Sequence, residues 1–324
     1  MAGTKSMATT DQPLRRRVAL VDAARGVAIL AMVAYHVAWD LWYFGFVGGA
    51  LTAEPGWILF QRAIVTSFLL LVGTGLALGH ADGIRWRPFW RRFAVLFGAA
   101  VLTSIGTYIA FPEYFVYFGV LHAIALFSLL GLAVLRWPWW VVALFGAAII
   151  ALAVAVPASA VMMQRPLSWI GFWSLPPPTT DIVPVFPWLG VVLLGIALTL
   201  LLRRTALWPV LSGWRLEGPV GRVLRWLGRW SLVIYLVHQP LLFGGMSLLA
   251  PPPTDDVAFV ASCESSCSGE SGFCARYCLC ALEEIERSNL WGAVNAAPRT
   301  EMQQTLVDGV AGICTAHAAE GATP

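Results

Sequence analysis

Long apolar stretches separated by short polar segments recur along residues 18–250. Most have about 17 to 25 residues, the length at which an α-helix crosses about 30 Å of hydrocarbon. The pattern predicts an all-α fold, a polytopic membrane bundle of about seven transmembrane helices. The stretches lie near residues 18–40, 57–79, 93–111, 115–136, 138–156, 187–202 and 230–250.

The composition supports a membrane environment. Hydrophobic residues make up 58% of the 324 residues and charged residues only 12%. The mean hydropathy of +0.72 exceeds what soluble globular domains reach. The first stretch follows Arg15–Arg17, as a signal peptide would, but its length and the ionisable residues Arg25 and His36 within it predict a retained span.

Basic residues indicate the orientation of the spans, because Lys and Arg tend to stay on the cytoplasmic side. With a cytoplasmic N-terminus, most of the 21 basic residues flank the inner ends of spans. Residues 1–17 are then a cytoplasmic segment, residues 18–250 the membrane domain and residues 251–324 an extracytoplasmic tail. Membrane lipid is an expected partner, whereas the net charge of +3 gives no indication of nucleic acid binding.

All six cysteines lie in the tail, as expected in an oxidising compartment. Two pairs have the helical spacing i, i+4. A disulfide-rich helical hairpin that joins Cys263 to Cys278 and Cys267 to Cys274 fits this spacing and leaves Cys280 to meet Cys314. Six cysteines nevertheless allow 15 connectivities, and a structural zinc site is an alternative.

The segment of roughly 157–186, between the fifth and sixth stretches, is rich in Pro and Trp. A loop of this length often forms a lid or a binding surface, and an interfacial aromatic belt is the alternative. Asp181 in the loop and Trp188 just after it are therefore candidates for contact with a substrate.

The first predicted helix contains ionisable residues that are costly in hydrocarbon and so indicate function. Arg25 and His36 are eleven positions apart, which places them within roughly 20° of one face and about 16 Å apart along the axis. Asp40 follows His36 by four positions, a spacing that lets the carboxylate fix the imidazole tautomer of a general base. The alternative is a buried His and Asp that only satisfy each other.

Other polar residues are predicted at similar depth: Arg62, His122 and His238. One cavity in the outer leaflet could be lined by three histidines from three helices: His36, His122 and His238. A triple-histidine metal site there is the alternative, but no metal is expected, because carboxylate and histidine motifs at metal-ligand spacing are missing.

Five segments resemble the heparan-alpha-glucosaminide N-acetyltransferase-like membrane family, in its bacterial members, over about residues 17–245. The spacing Arg25-x10-His36 is also similar to a signature of the wider transmembrane acyltransferase superfamily. The segments are VDAARGVAILAMVAYHVAWDLWYFGFV, WRRFAVLFGAAVLTSIGT, YFGVLHAIALFSLLGL, DIVPVFPWLGVVLLGIAL and LGRWSLVIYLVHQPLL.

The resemblance implies transfer of an acyl group, commonly acetyl, from cytoplasmic acyl-coenzyme A to an extracytoplasmic acceptor such as a sugar or glycan. The implied location is the bacterial inner (plasma) membrane. His36, oriented by Asp40, would remove the acceptor proton or carry the acyl group. The other expected roles are coenzyme binding by Arg25, Arg91 and Arg92, acceptor-side catalytic positions for His122 and His238, and acceptor binding by Arg62, Asp181 and Trp188.

The chain differs from the eukaryotic relatives in the loop after the first span. Their catalytic histidine lies in that loop, which here contains none, so the chemistry is expected at His36. Two other functions are open: a transporter or flippase that uses the same polar residues, and a membrane anchor for a binding module in the tail. The sequence also leaves a homo-oligomer open.

Overall fold

The computed structural model describes residues 17–44, 46–47, 54–249, 256–295 and 298–320. Within these ranges the regular structure is helical, and the only β pairing is one bridge between Phe118 and Ile182. The predicted all-α fold is confirmed. The α-helices are α1 (Ala19–Tyr43), α2 (Pro55–Gly79), α3 (Trp86–Ala110), α4 (Val120–Val134), α5 (Trp139–Ala155), α6 (Arg165–Ser168), α7 (Val185–Leu202), α8 (Leu207–Gly213), α9 (Pro219–Arg229), α10 (Ser231–Ser247), α11 (Asp256–Ser266), α12 (Ser271–Arg287), α13 (Trp291–Val294) and α14 (Glu301–Glu320).

An apolar helix occupies each of the seven positions where hydropathy predicts a span. The helices α1, α2, α3 and α7 have 18 to 25 residues and are long and apolar enough to cross a membrane. The helices α4, α5 and α10 are apolar but shorter, with 15, 17 and 17 residues. A membrane protein is therefore indicated, while the exact number of crossings and their direction stay predictions.

A large hydrophobic core is formed by α2, α3, α4, α5 and α7. Leu69, Phe127, Val142, Val192 and Ile196 are fully buried in it. Many apolar side chains on the outer faces of the helices stay exposed, which is the arrangement expected when lipid rather than water surrounds them.

Two glycines allow α5 and α7 to approach closely. A Cβ atom on Gly146 would lie 2.9 Å from the carbonyl oxygen of Gly190, and one on Gly190 would collide with Gly146 in turn. Small residues at such crossings let helix backbones pack directly, the usual basis of helix association in membranes.

The chain forms two compact units. The first consists of Met1–Ala34 and Leu59–His238, and the second of Tyr35–Ile58 and Gln239–Pro324. The predicted domain boundaries at residues 17 and 250 stay predictions. The N-terminal residues 1–16 and the linker Pro251–Pro253 lie outside the described residues.

Two helices that hydropathy does not reveal lie between α7 and α10. The helix α8 has seven residues and α9 has eleven, and α9 carries arginines among its apolar residues. Neither is a long apolar run, so a search for membrane spans passes over them. The predicted loop near 157–186 likewise contains short helical turns, a 3₁₀ turn at Ala160–Met163 and the helix α6.

The tail forms a helical domain held by three disulfides. Its core contains Ala281, Ile285, Val310 and Cys314, on α12 and α14. The predicted pairing is confirmed, and the cysteines are cross-linked to each other rather than arranged as zinc ligands. The disulfides are Cys263–Cys278, Cys267–Cys274 and Cys280–Cys314.

Candidate functional site

Two arginines converge on a glycine of α2. A Cβ atom on Gly75 would lie 2.6 Å from Nη2 of Arg25 and 3.8 Å from Nη1 of Arg92. Arg25 comes from the first turns of α1, Gly75 from the last turns of α2 and Arg92 from the first turns of α3. The absence of a side chain at position 75 therefore leaves room for the guanidinium group of Arg25, and that of Arg92 lies beside it.

Asp22 supplies negative charge beside these arginines. Its carboxylate is buried, with Oδ1 3.5 Å from Nη1 of Arg25 and Oδ2 3.7 Å from Nε of Arg229. The carboxylate thus faces two guanidinium groups, those of Arg25 and Arg229. With Arg92 included, the cluster has three arginines and one carboxylate, so it keeps net positive charge. Guanidinium groups bind phosphates through paired, charge-assisted hydrogen bonds.

Arg91, the third arginine predicted to bind the coenzyme, lies at the surface. Arg91 is exposed and borders an open depression together with Arg87 and Pro88 at the start of α3. The structure therefore brings Arg25 and Arg92 together, while Arg91 adds positive charge at the surface of the same helix.

His36 lies in the second unit among aromatic rings. The ring of Tyr35 meets the imidazole edge-on, with centroids 5.5 Å apart, and stacks on Trp57 at 4.9 Å. The imidazole is partly buried. Aromatic neighbours limit access of water to a base and provide flat surfaces against which a sugar ring can pack.

Asp40 is fully buried, and its hydrogen bond goes to Gln239. Nε2 of Gln239 donates to Oδ1 of Asp40 over 2.7 Å. Oδ2 of Asp40 and Oε1 of Gln239 have no hydrogen-bond partner among the described residues. Gln239 is not among the predicted site residues, although an amide beside His238 in an apolar segment was a usable signal. The predicted role of Asp40 in orienting His36 stays a prediction.

His122 connects α3 and α4 through both ring nitrogens. Nδ1 accepts a hydrogen bond from the backbone N–H of Gly119 at 3.3 Å, so the proton resides on Nε2. Nε2 in turn lies 3.3 Å from Oγ of Ser104, whose hydroxyl donates to the carbonyl of Val116. This pattern stabilises the entry into α4, and the catalytic role of His122 stays a prediction.

His238 is buried in α10 with the opposite tautomer. Its Nδ1 lies 2.8 Å from the carbonyl oxygen of Tyr235 and donates to it, so Nε2 is the unprotonated nitrogen. Tyr235 packs against the cluster around Ala100 and Leu121. The catalytic role of His238 stays a prediction.

Asp181 caps the helix α4 from a loop that is distant in sequence. Its Oδ2 accepts a hydrogen bond of 2.8 Å from the backbone N–H of Val120, at the first turn of α4. The loop is held there because Thr180 and Val183 donate to the carbonyls of Tyr114 and Phe118. Burial raises the pKa of Asp181 to about 6, although the hydrogen bond from Val120 acts in the opposite direction.

The remaining predicted acceptor residues lie apart from this cap. Arg62 is exposed on the first half of α2, and Trp188 packs against the main core at the start of α7. Their contact with a substrate stays a prediction. Within the described ranges no three His, Cys, Asp or Glu side chains are grouped as a metal site would require.

A protein-family model described as "Heparan-alpha-glucosaminide N-acetyltransferase, catalytic" matches residues 17–240. The match includes the arginine cluster, His36, His122, Asp181 and His238. No curated protein and no solved structure shows significant similarity to the chain.

Proposed function

Because the chain belongs to the heparan-alpha-glucosaminide N-acetyltransferase catalytic family, a family whose activity is that of a membrane acetyltransferase, we propose that it transfers an acetyl group from acetyl-coenzyme A. The observation that supports this donor is the convergence of Arg25 and Arg92 on Gly75. A coenzyme carries several phosphates, and a cluster with surplus positive charge suits such a ligand.

In this proposal Arg25 and Arg92 bind phosphate groups of the coenzyme. Both are at the helix ends that the distribution of basic residues assigns to the cytoplasm, the side on which acyl-coenzyme A would be supplied. Arg91 and Arg87 lie exposed on the same part of α3 and would attract the anion before it binds.

The proposed acceptor is a sugar or glycan on the extracytoplasmic side, and the proposed catalytic base is His36. His36 follows Arg25 by eleven residues on α1 and lies beside Tyr35 and Trp57. Nitrogen or oxygen of the acceptor attacks the thioester carbonyl while the imidazole takes its proton. The carbon–sulfur bond then breaks, and the thiolate of the coenzyme is released and protonated.

A related route would make His36 the carrier of the acetyl group before the acceptor receives it. This route predicts that labelled acetyl stays on the protein when the acceptor is omitted. Direct attack by the acceptor predicts no such labelled intermediate. His122 and His238 would line the acceptor side in either route, and the protein would reside in a bacterial inner membrane.

The test uses the purified full chain in lipid nanodiscs, supplied with acetyl-coenzyme A and saccharides that end in glucosamine. Release of free thiol and acetylation of the saccharide are measured together. His36→Ala is expected to abolish both while the protein stays folded, and His80→Ala is the matched control. His80 contacts its own helix through the carbonyl of Leu76.

Full activity of His36→Ala would remove this residue from the mechanism. Failure of acetyl-coenzyme A to bind to the wild type would remove the proposed donor. When the same protein is reconstituted in sealed proteoliposomes, movement of a labelled saccharide across the membrane without thiol release would instead support the transporter.

A further inference from the structure

The helix α9 presents three different faces along its length. At about 100° per residue, its glycines, its arginines and its exposed apolar side chains fall in separate sectors around the axis. Arg229 pairs with Asp22 in the arginine cluster described above, whereas Arg222, Arg225 and the exposed apolar side chains have no role in the proposed acyl transfer.

One glycine of α9 packs against the start of α1. Gly221 and Gly228 are seven residues apart and buried on one side of the helix, and Gly228 contacts α1 while Gly221 packs against Leu216. A Cβ atom on Gly228 would collide with the backbone carbonyl of Asp22, and one on Gly26 would collide with that of Leu224. The two backbones are therefore in direct contact, which fixes the rotation of α9 about its own axis.

The apolar sector is on a different side and is uncovered. Val220, Val223, Trp226 and Trp230 are 70%, 55%, 56% and 51% exposed. Their spacing places them on one face within an arc of about 120°. Such a contiguous apolar surface is unfavourable in water and indicates contact with lipid or with another protein.

The arginine sector lies between the other two. Arg222 is exposed, and Nε of Arg225 donates to the carbonyl of Gly221 over 3.2 Å. Arg229 pairs with Asp22 at 3.7 Å. The helix contains no acidic residue. Its polar face is thus cationic along its whole length.

We propose that α9 is a surface helix that lies in the headgroup layer of the membrane and binds anionic phospholipid. The apolar sector would enter the acyl boundary, and Arg222 and Arg225 would contact lipid phosphates. Lipid is the occupant that explains both sectors together, because it offers apolar chains directly beside negative charge. Trp226 and Trp230 suit this depth, since Trp is enriched at membrane interfaces.

The binding test uses the full chain in detergent, titrated with dioleoylphosphatidylglycerol or dioleoylphosphatidylcholine and followed by native mass spectrometry. The phosphatidylglycerol is expected to bind more tightly. Exchange of Arg222→Gln and Arg225→Gln should weaken its binding about five-fold for each arginine, as expected for cations near an anionic surface. Arg222→Lys with Arg225→Lys should retain most of the binding.

The matched control is Arg203→Gln with Arg204→Gln, which removes the same charge at the end of α7. Equal losses in the control would show a general effect of net charge and overturn the proposal. Displacement of phosphatidylglycerol by acetyl-coenzyme A or by inorganic phosphate would assign the arginines to a soluble ligand and would also overturn it.

The depth of the helix is tested separately. All six cysteines of the chain are in disulfides, so Val223→Cys introduces a single free thiol for a spin label. In nanodiscs the label is expected to be accessible to oxygen, which partitions into lipid, and shielded from a water-soluble nickel relaxant. Accessibility to the nickel relaxant, or to neither reagent, would exclude insertion into lipid.

Discussion

The side-chain amide of Gln239 donates to the fully buried carboxyl group of Asp40, with 2.7 Å between Nε2 and Oδ1. Gln239 belongs to α10 and Asp40 to α1, so the bond joins two segments far apart in sequence. A buried carboxyl group is costly without hydrogen bonds, and this amide is its donor. The pair is therefore a polar connection inside an apolar part of the chain.

Replacement of Gln239 by Leu should destabilise the protein by about 1–3 kcal/mol, because it leaves the carboxyl of Asp40 without a donor. Asp40→Asn is the matched variant. Its amide keeps an acceptor for Nε2 of Gln239 and adds a donor for Oε1, which has no partner among the described residues. Thermal unfolding in nanodiscs should give a lower Tm for Gln239→Leu and a nearly unchanged Tm for Asp40→Asn.

Acetyl transfer by the same variants separates stability from chemistry. If Asp40 orients His36 as a carboxylate, Asp40→Asn loses activity although its Tm is retained. Equal activity in Asp40→Asn and the wild type would contradict that role. An equal decrease in Tm in Gln239→Leu and Asp40→Asn would contradict the stabilising role of the Gln239 amide.

Gly75→Ala should weaken the binding of acetyl-coenzyme A without unfolding the protein. The added methyl would lie 2.6 Å from Nη2 of Arg25, and this flexible end of the side chain would move away. The expected result is a KM for acetyl-coenzyme A raised several-fold with little change in kcat, since the methyl displaces only an arginine proposed to bind the donor. Gly79→Ala, on the same helix with open space around it, is the control. Equal KM values in the two variants would show that the position of Arg25 is not important for the donor.

Ionisation of the Asp181 carboxyl group should lower the free energy of unfolding as pH rises from about 4 to about 6. The pKa of its carboxyl is about 6 in the folded protein, against about 3.9 in an unfolded chain, so the folded state binds more protons between these values. The stabilising contribution is complete below pH 4 and is lost as pH rises through 6. Asp181→Asn keeps an acceptor for the N–H of Val120 and removes the titration.

The measurement is Tm between pH 4 and pH 7 for the wild type, Asp181→Asn and Asp181→Ala. The fall in Tm over this range should be smaller in Asp181→Asn. Asp181→Ala should in addition be less stable by about 1 kcal/mol, because it removes the cap of α4. Identical pH profiles for the wild type and Asp181→Asn would be incompatible with a raised pKa.

The disulfide between Cys280 and Cys314 should stabilise the tail more than the one between Cys267 and Cys274. The sequence separations are 34 and 7 residues, and the chain-entropy relation gives about 4 and about 2 kcal/mol for loops of these sizes. Paired Cys→Ser variants of each bridge can be compared by limited trypsin digestion, since α12 contains Arg276 and ends at Arg287. Faster cleavage without the shorter bridge would contradict this order.

The positions of the apolar helices and the disulfide pairing in the tail could largely be predicted from local sequence patterns. Hydropathy placed an apolar helix at all seven predicted positions, because residues 18–250 must satisfy their backbone groups internally in lipid. The i, i+4 spacing of the cysteines made one pairing geometrically natural, and the structure has that pairing. The helix α9 was missed because an amphipathic surface helix has no long apolar run.

Composition and residue order were enough to identify the membrane bundle, the family and the residue types available for chemistry. The packing of the helices was needed to show which side chains are in contact. Gly75 lies beside the guanidinium groups of Arg25 and Arg92, Gln239 binds Asp40, and Asp181 caps α4. Each of these contacts joins positions distant in sequence, and helix periodicity carries no information about which faces of different helices pack together.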